Sequence, residues 1–202
     1  FKNIFEIKPA HFGIYNESGL HTKQYWKLIS KEHTDSFGQT CEHLKFLLND
    51  SITRQLVSDV PLCTFLSGGL DSSIITKFTA DYFQKKGIQP LDTYSVDYVD
   101  NDKNFVKSDF QPNSDNYYIN LMVSTLHTNH HSIILDTPEL ADNLYDAMLA
   151  RDMPGMADVD SSLLLFCKNV KPTATVSLTG ECADEIFGGY PWFFRDDALN
   201  SG

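Results

Sequence analysis

Residues 67–73 read Ser-Gly-Gly-Leu-Asp-Ser-Ser, directly after the apolar run 61–66 and before the amphipathic stretch 74–86. A buried strand, a glycine turn and a helix start in that order constrain the chain to an α/β architecture. The same turn presents backbone N–H groups to a phosphate chain. Gly68 and Gly69 lack a Cβ, so they can take φ > 0 and let an anion approach the main chain closely. Ser67, Ser72 and Ser73 add hydroxyl donors, and Asp71 supplies the hard oxygen ligand that Mg²⁺ prefers. A helix N-terminus stabilises an exposed anion by only about 0.3–1 kcal/mol, a weak clamp for a polyphosphate. A carboxylate at the mouth of such a loop would repel phosphates unless a divalent cation lay between them, so Asp71 is read as a metal ligand. The plainer alternative is an ordinary turn with Asp71 as a helix cap. A cap needs one polar residue, and four converge here.

Other phosphate loops are missing. The chain has neither G-x-x-x-x-G-K-[ST] nor G-x-G-x-x-G, which argues against a nicotinamide or flavin enzyme. Its 27 acidic residues against 16 basic ones, a formal charge of −11, leave no basic face for tRNA or DNA. No apolar run approaches the roughly 20 residues of a membrane span. Cys41, Cys63, Cys167 and Cys182 are widely spaced, the pattern of a reduced, cytoplasmic protein with unpaired thiols. Its 202 residues suffice for one domain with an added segment. Phe1 at the start and Asn200-Ser201-Gly202 at the end suggest a piece of a longer polypeptide.

Along the chain, residues 1–34 alternate β-like pieces, 3–7 among them, with turn signals. Residues 13–15 and 20–22 around Asn16-Glu17-Ser18-Gly19 read as a hairpin. Helical spacing runs from Ser36 to Ser58 through Leu44, Leu47, Leu48, Ile52 and Leu56. After the glycine loop, Ile74, Ile75, Phe78, Tyr82 and Phe83 mark a helix face that Gly87 ends. Strands are expected at 91–96, 131–135 and 173–178, with an exposed polar loop over 100–116. One amphipathic helix is expected from Pro138 to Arg151, and another capped by Asp160. Strand and helix alternating at this rhythm give a doubly wound parallel sheet with helices on both faces, its ligand at the carboxyl ends of the strands.

The last strand runs into Thr179-Gly180-Glu181-Cys182-Ala183-Asp184-Glu185, followed by Ile186-Phe187-Gly188-Gly189-Tyr190. Three acids within five residues would repel one another in a dry site. They are tolerable if one binds a metal and another moves protons. A charged helix start, favoured by the macrodipole, is the simpler alternative for this stretch alone.

The two stretches together carry a resemblance. Residues 67–73 resemble the pyrophosphate loop of the ATP pyrophosphatases, the PP-loop group with the adenine nucleotide alpha hydrolase-like fold. Residues 179–190 are similar to the second signature of the glutamine-dependent asparagine synthetases. Val57-Ser58-Asp59-Val60-Pro61 and His130-His131 are similar as well, and the likeness spans about 36–194. It implies that residues 1–34 are the tail of a glutaminase domain and its linker, and that 35–202 are the N-terminal part of an ATP-dependent synthetase domain. The implied chemistry is adenylation of the aspartate side-chain carboxylate by Mg·ATP, release of pyrophosphate, and attack by ammonia drawn from glutamine through a tunnel. By the same resemblance Leu66 and Val96 would contact adenosine, and Thr179 and Gly180 the nucleotide near its α-phosphate. Ser67, Gly68, Gly69, Ser72 and Ser73 would hold pyrophosphate, Asp71 and Asp184 would bind Mg²⁺, and Glu181 would take a proton from ammonia.

Cys182 departs from the usual small residue and is expected to be a packed thiol. The nucleophilic cysteine of the glutaminase half and the later helical region of the synthetase half do not occur in these residues, so this segment alone is not expected to make asparagine. Two other readings stay open: another amide former of the same fold, such as a β-lactam synthetase or a peptide cyclase, and an inactive nucleotide-binding module. The residues do not decide oligomeric state, and a homodimer is compatible with them. His127, His130 and His131 are read as structural, because neighbouring strand residues face opposite ways. Trp26, Trp192, Phe193 and Phe194 are read as packing residues.

Overall fold

The computed structural model describes residues 2–106 and 114–200. The chain divides into two compact units, Phe1–His43 and Leu44–Gly202. In the first, β1 (His11–Asn16) and β2 (Gly19–Gln24) form an antiparallel hairpin with Asn16 opposite Gly19. The Asn16 side-chain oxygen accepts hydrogen bonds from the Ser18 N–H and hydroxyl at 3.0 and 2.7 Å, and Gly19 takes φ +106°. These are the turn residues the sequence marks. Residues 3–7, expected to be β-like, form no strand.

Helix α1 (Phe37–Gln55) starts on a reciprocal cap. Gln39 Oε1 accepts the Ser36 N–H at 2.9 Å, and the Ser36 hydroxyl accepts the Gln39 N–H at 3.4 Å. Of its apolar stripe only Ile52 is buried, while Leu44 and Leu47 are exposed.

The second unit is a four-stranded parallel sheet. In chain order it comprises β3 (Leu62–Phe65), α2 (Leu70–Lys86), β4 (Asp92–Tyr98), α3 (Asn101–Asn104) and α4 (Asp115–Leu126). Then come β5 (Asn129–Leu135), α5 (Thr137–Asp142), α6 (Leu144–Arg151), α7 (Ala157–Val170) and β6 (Val176–Leu178). Helices α8 (Ala183–Phe187) and α9 (Asp196–Leu199) follow. The strand order is β5-β4-β3-β6. The chain steps outward from β3 to β5, then returns past β3 to pair β6 on its other side. With right-handed crossovers this reversal puts α2 and α4 on one face and α5 to α7 on the other, a doubly wound sheet.

The two faces have different cores. Under α7, Cys63, Tyr94, Phe166, Val170 and Ala174 form a buried apolar cluster, with Phe65 edge-on to Phe166 at 4.6 Å. Burial, then the Asp92 charge, pushes the Cys63 thiol up to about 12, so it is an inert core group. Under α2 the fully buried side chains are Thr64, Thr76, Thr79 and Thr93. The expected stripe of Ile74, Ile75, Phe78, Tyr82 and Phe83 is only half-buried, and Ser72, Thr76 and Thr79 face inward. Small side chains let the helix axis approach the strands closely, and Thr64 Oγ1 and Thr76 Oγ1 bond each other at 3.0 Å.

Other expectations are corrected. The amphipathic run 138–151 is two helices broken at Asn143, whose backbone leaves the helical region at φ −95°, ψ 4°. Asp160 is not a cap. It lies inside α7, where its carboxylate accepts a hydrogen bond from the Arg151 guanidinium at 2.5 Å. The fourth strand begins at Val176 rather than Thr173, which turns and bonds the Tyr94 hydroxyl. Of the polar loop expected over 100–116, residues 107–113 lie outside the described residues, and its flanks begin α3 and α4.

Candidate active site

The order in which the chain lays down its strands reverses between β3 and β6, which run parallel, and the loops that follow these strands flank that switch point. After β3, Leu66 is buried and donates its N–H to the Tyr94 carbonyl at 2.8 Å, which ties the loop entrance to β4. Gly68 takes φ +81°, and a Cβ there would stand 2.8 Å from the Asp115 carbonyl oxygen. Its lack of a side chain thus admits the start of α4. Gly69 is extended at φ −68°, ψ 165°, so of the two loop glycines Gly68 alone uses the left-handed conformation open to both.

The serines knit the loop together. The Ser72 hydroxyl accepts the Ser67 N–H at 3.2 Å, pairs with the Ser67 hydroxyl at 3.0 Å, and donates to the Gly69 carbonyl at 3.2 Å. Ser72 is buried in the first turn of α2, beside Asp71.

After β6, Gly180 presses on that same turn. A Cβ on Gly180 would lie 3.1 Å from both Asp71 Cβ and the Ser72 nitrogen. Cys182 takes φ +69°, a left-handed conformation that favours a small residue, and α8 begins directly after it. The Cys182 thiol is exposed, contrary to the packed role expected. Glycine at 189 makes room for Asp184: a Cβ there would collide with the Asp184 carboxylate, 1.8 Å from Oδ1. Among the sequence motifs, this is the physical reason for the paired glycines at 188 and 189. Gly188 ends α8 at φ +68°, and Gly189 frees the acid's side chain.

Two neighbouring cavities result. The smaller, about 280 Å³, is lined by Ser67, Gly69, Asp71, Ser72, Thr179, Gly180, Glu181, Cys182 and Asp184, with Phe65 and Tyr190. The larger, about 410 Å³, has Phe65, Leu66, Val96, Ile119, Leu163 and Phe166 among its apolar walls. Its polar lining includes Ser67, Asp97, Asn101, Asn116 and Glu181. Phe65, Ser67 and Glu181 belong to both. The candidate residues named from sequence therefore converge on one crevice, apart from Gly68 and Ser73, which line neither cavity.

Electrostatics ties the two loops together. Burial, and then the charge of Asp184, raises the Asp71 carboxyl above the ordinary aspartate range. A carboxyl raised in part by a neighbouring acid suits a cation between the two. Among the described residues no group of three or more His, Cys, Asp or Glu side chains could hold a metal. Mg²⁺ does not need one. It is bound through one or two carboxylates together with phosphate oxygens and waters, so the pair fits that ion in the company of a polyphosphate.

Sequence reasoning passed over Tyr190, whose hydroxyl donates to Glu185 Oε1 at 3.2 Å and whose ring stacks on Trp192 at 4.3 Å. It also passed over Asp97, whose partners are discontinuous in sequence. The histidines do not converge. His130 sits between the hydroxyls of Thr93 and Ser95, whereas His131 bonds Asp92 and stacks on Tyr94.

A glycine loop and an acid-bearing loop at the switch point of a doubly wound parallel sheet define an α/β domain with its ligand crevice at the strand ends. The asparagine synthase family description matches residues 43–202, and the chain belongs to that family. It is 54% identical over 197 residues to asparagine synthetase [glutamine-hydrolyzing] 3 of Bacillus subtilis (strain 168), covering 98% of this chain and 32% of that protein. It is 29% identical over 155 residues to asparagine synthetase B [glutamine-hydrolyzing] of Escherichia coli (strain K12), covering 75% of this chain and 27% of the relative. Amidase chyE of Penicillium rubens is 27% identical over 212 residues, covering 99% and 30%. The chain thus spans about a third or less of the length of these curated relatives. No described helix is long and apolar enough to cross a membrane.

Proposed function

We propose that this chain is the nucleotide-binding part of the synthetase half of a glutamine-dependent asparagine synthetase, a cytoplasmic ligase in which residues 1–34 end the glutaminase domain. The observation that carries the reading is the pair of adjoining cavities with Ser67 and Glu181 at their junction. One cavity has the apolar walls and polar edge of a nucleoside site, and the other has the hydroxyls and paired acids of a pyrophosphate site.

The nucleoside of ATP lies in the larger cavity against Leu66 and Val96, and its β- and γ-phosphates lie in the smaller. Ser67 and Ser72 offer hydroxyls, Gly69 and the start of α2 offer backbone N–H groups, and Thr179 and Gly180 border the α-phosphate. Asp71 and Asp184 would hold Mg²⁺, and the chemistry that ion would supply is neutralisation of charge on the pyrophosphate leaving group. An aspartate side-chain oxygen attacks the α-phosphorus, and the bond from phosphorus to pyrophosphate breaks. Ammonia released from glutamine then attacks the acyl carbon, and AMP leaves. The attacking nitrogen must lose a proton, and Glu181 accepts it at the junction. The 54% identity to a glutamine-hydrolysing asparagine synthetase supports the choice of aspartate and of a glutamine-derived nitrogen.

The test is isotope exchange between pyrophosphate and ATP in the full-length polypeptide, with and without aspartate. Exchange that requires aspartate supports the reading. Exchange that requires another carboxylate moves the protein to a different amide former, and no exchange under any acid overturns the activity.

A further inference from the structure

Asp97 stands at the carboxyl end of β4, the strand beside β3, and lines the larger cavity. Three donors hold its carboxylate. Oδ1 accepts the Asn101 side-chain amide at 2.7 Å and the Tyr98 N–H at 2.8 Å, and Oδ2 accepts the Asn116 side-chain amide at 3.0 Å. Oδ1 is thereby saturated, and Oδ2 keeps a lone pair for a further donor. Burial alone would raise this carboxyl, but the bonds from Asn116, Tyr98 and Asn101 outweigh it and hold the group below the ordinary range. The acid is therefore ionised, fixed in orientation and an acceptor only.

A fixed negative charge beside a polyanion site opposes binding unless the ligand returns hydrogen bonds. The chemistry such a ligand must bring is a neutral donor close to its phosphates. Neighbouring strands lie about 4.8 Å apart, so a carboxylate one strand over from the glycine loop is about a sugar's width from the phosphates. The apolar walls made by Leu66, Val96 and Ile119 suit a base, which leaves the polar edge for the sugar. In dinucleotide-binding doubly wound sheets, which use a different glycine loop, a carboxylate at the end of the second strand bonds a ribose hydroxyl in this way.

We propose that Asp97 accepts a hydrogen bond from a ribose hydroxyl of the bound nucleotide, with Asn101 and Asn116 as positioning residues that aim it. This deepens the nucleotide reading given above and rests on it. It makes the site selective for ribonucleotides over deoxyribonucleotides.

The test is equilibrium binding of ATP, 2′-deoxy-ATP and 3′-deoxy-ATP, each with Mg²⁺, to the full-length polypeptide. At least one deoxy analogue should bind about tenfold or more weakly than ATP, the usual size of a hydrogen bond to a charged group. In Asp97→Ala the three nucleotides should bind within about twofold of one another, since the discriminating acceptor is gone. Equal binding of all three by the unaltered protein overturns the assignment without requiring any variant to fold. So does discrimination that persists in Asp97→Ala, or an Asp97→Asn variant that alters only the requirement for aspartate, which would give the carboxylate to the amino-acid substrate instead. If the unaltered protein binds no ATP at all, the nucleotide reading itself falls, and this inference with it.

Discussion

Gly180 and Asp71, 109 positions apart in the chain, are packed so closely that a Cβ on the glycine would stand 3.1 Å from that of the aspartate. The contact sets the width of the crevice, because it locks the loop after β6 onto the first turn of α2. In Gly180→Ala the added methyl meets the Ser72 backbone nitrogen as well, which cannot swing aside. The expected result is a loss of about 1–3 kcal/mol of stability, the usual cost of overpacking. Weaker binding of Mg·ATP should accompany it. Urea denaturation and nucleotide titration of the full-length polypeptide measure the two, and an unchanged affinity would separate this contact from the site.

Gly68→Ala addresses packing on the other side of the loop. The substituted residue would have to keep φ +81° with its Cβ 2.8 Å from the Asp115 carbonyl oxygen. A destabilisation of about 1–3 kcal/mol is expected from strain and overlap. A variant with the midpoint of the unaltered protein in urea would show that the approach of α4 is not tight.

The buried threonine pair under α2 gives a clean cycle. Thr76→Val strands the Thr64 hydroxyl, which is fully buried and bonds only Thr76 among the described contacts. That should cost about 1–3 kcal/mol, whereas Thr64→Val with Thr76→Val should recover much of the loss, because no polar group is then left unpaired. Strict additivity of the two single changes would contradict the pairing.

Two of the acids that line the cavities, Asp71 and Asp97, titrate in opposite senses. Asp71 has its folded carboxyl raised, by burial first and Asp184 second, so on titration the folded chain gives up this proton at a higher pH than the unfolded chain does. Its contribution to stability is present below the ordinary aspartate range and declines as pH rises through the raised value. Asp97 is held low, so its contribution is present above the ordinary range and declines as pH falls through the depressed value. Asp184→Asn removes one cause of the Asp71 shift and should flatten the fall in stability with rising pH just above the ordinary range. Denaturation midpoints measured across that range check this, and identical slopes in the two proteins would contradict it.

What the residues reveal unaided depends on how local the physics is. The hairpin turn at Asn16–Gly19, the strand–loop–helix unit around Ser67–Ser73 and the acid-rich turn at Glu181–Glu185 are short-range patterns, and each falls where the sequence marks it. The inner face of α2 was not legible. Hydrophobicity selects Ile74 and Phe78, while the tight helix–sheet approach selects Ser72, Thr76 and Thr79. The break at Asn143 hides inside a continuous helical period, because amphipathicity reports a face and not continuity. Asp97 escaped notice because its side-chain donors lie 4 and 19 residues away and only the fold brings Asn116 to it. Cys182 misled for a related reason. It stands exposed in a left-handed backbone position, where its place in the motif suggests a packed thiol.

The central claim is that Asp71 and Asp184 act as one cation site beneath a triphosphate. Its most direct measurement is a double-mutant cycle on ATP affinity in the full-length polypeptide, with and without Mg²⁺, using Asp71→Asn, Asp184→Asn and the pair. Each single change should remove most of the affinity that Mg²⁺ adds, and the pair should lose little more, a coupling above about 1 kcal/mol. Losses that simply add, or a Mg²⁺ effect that survives both substitutions, would contradict it.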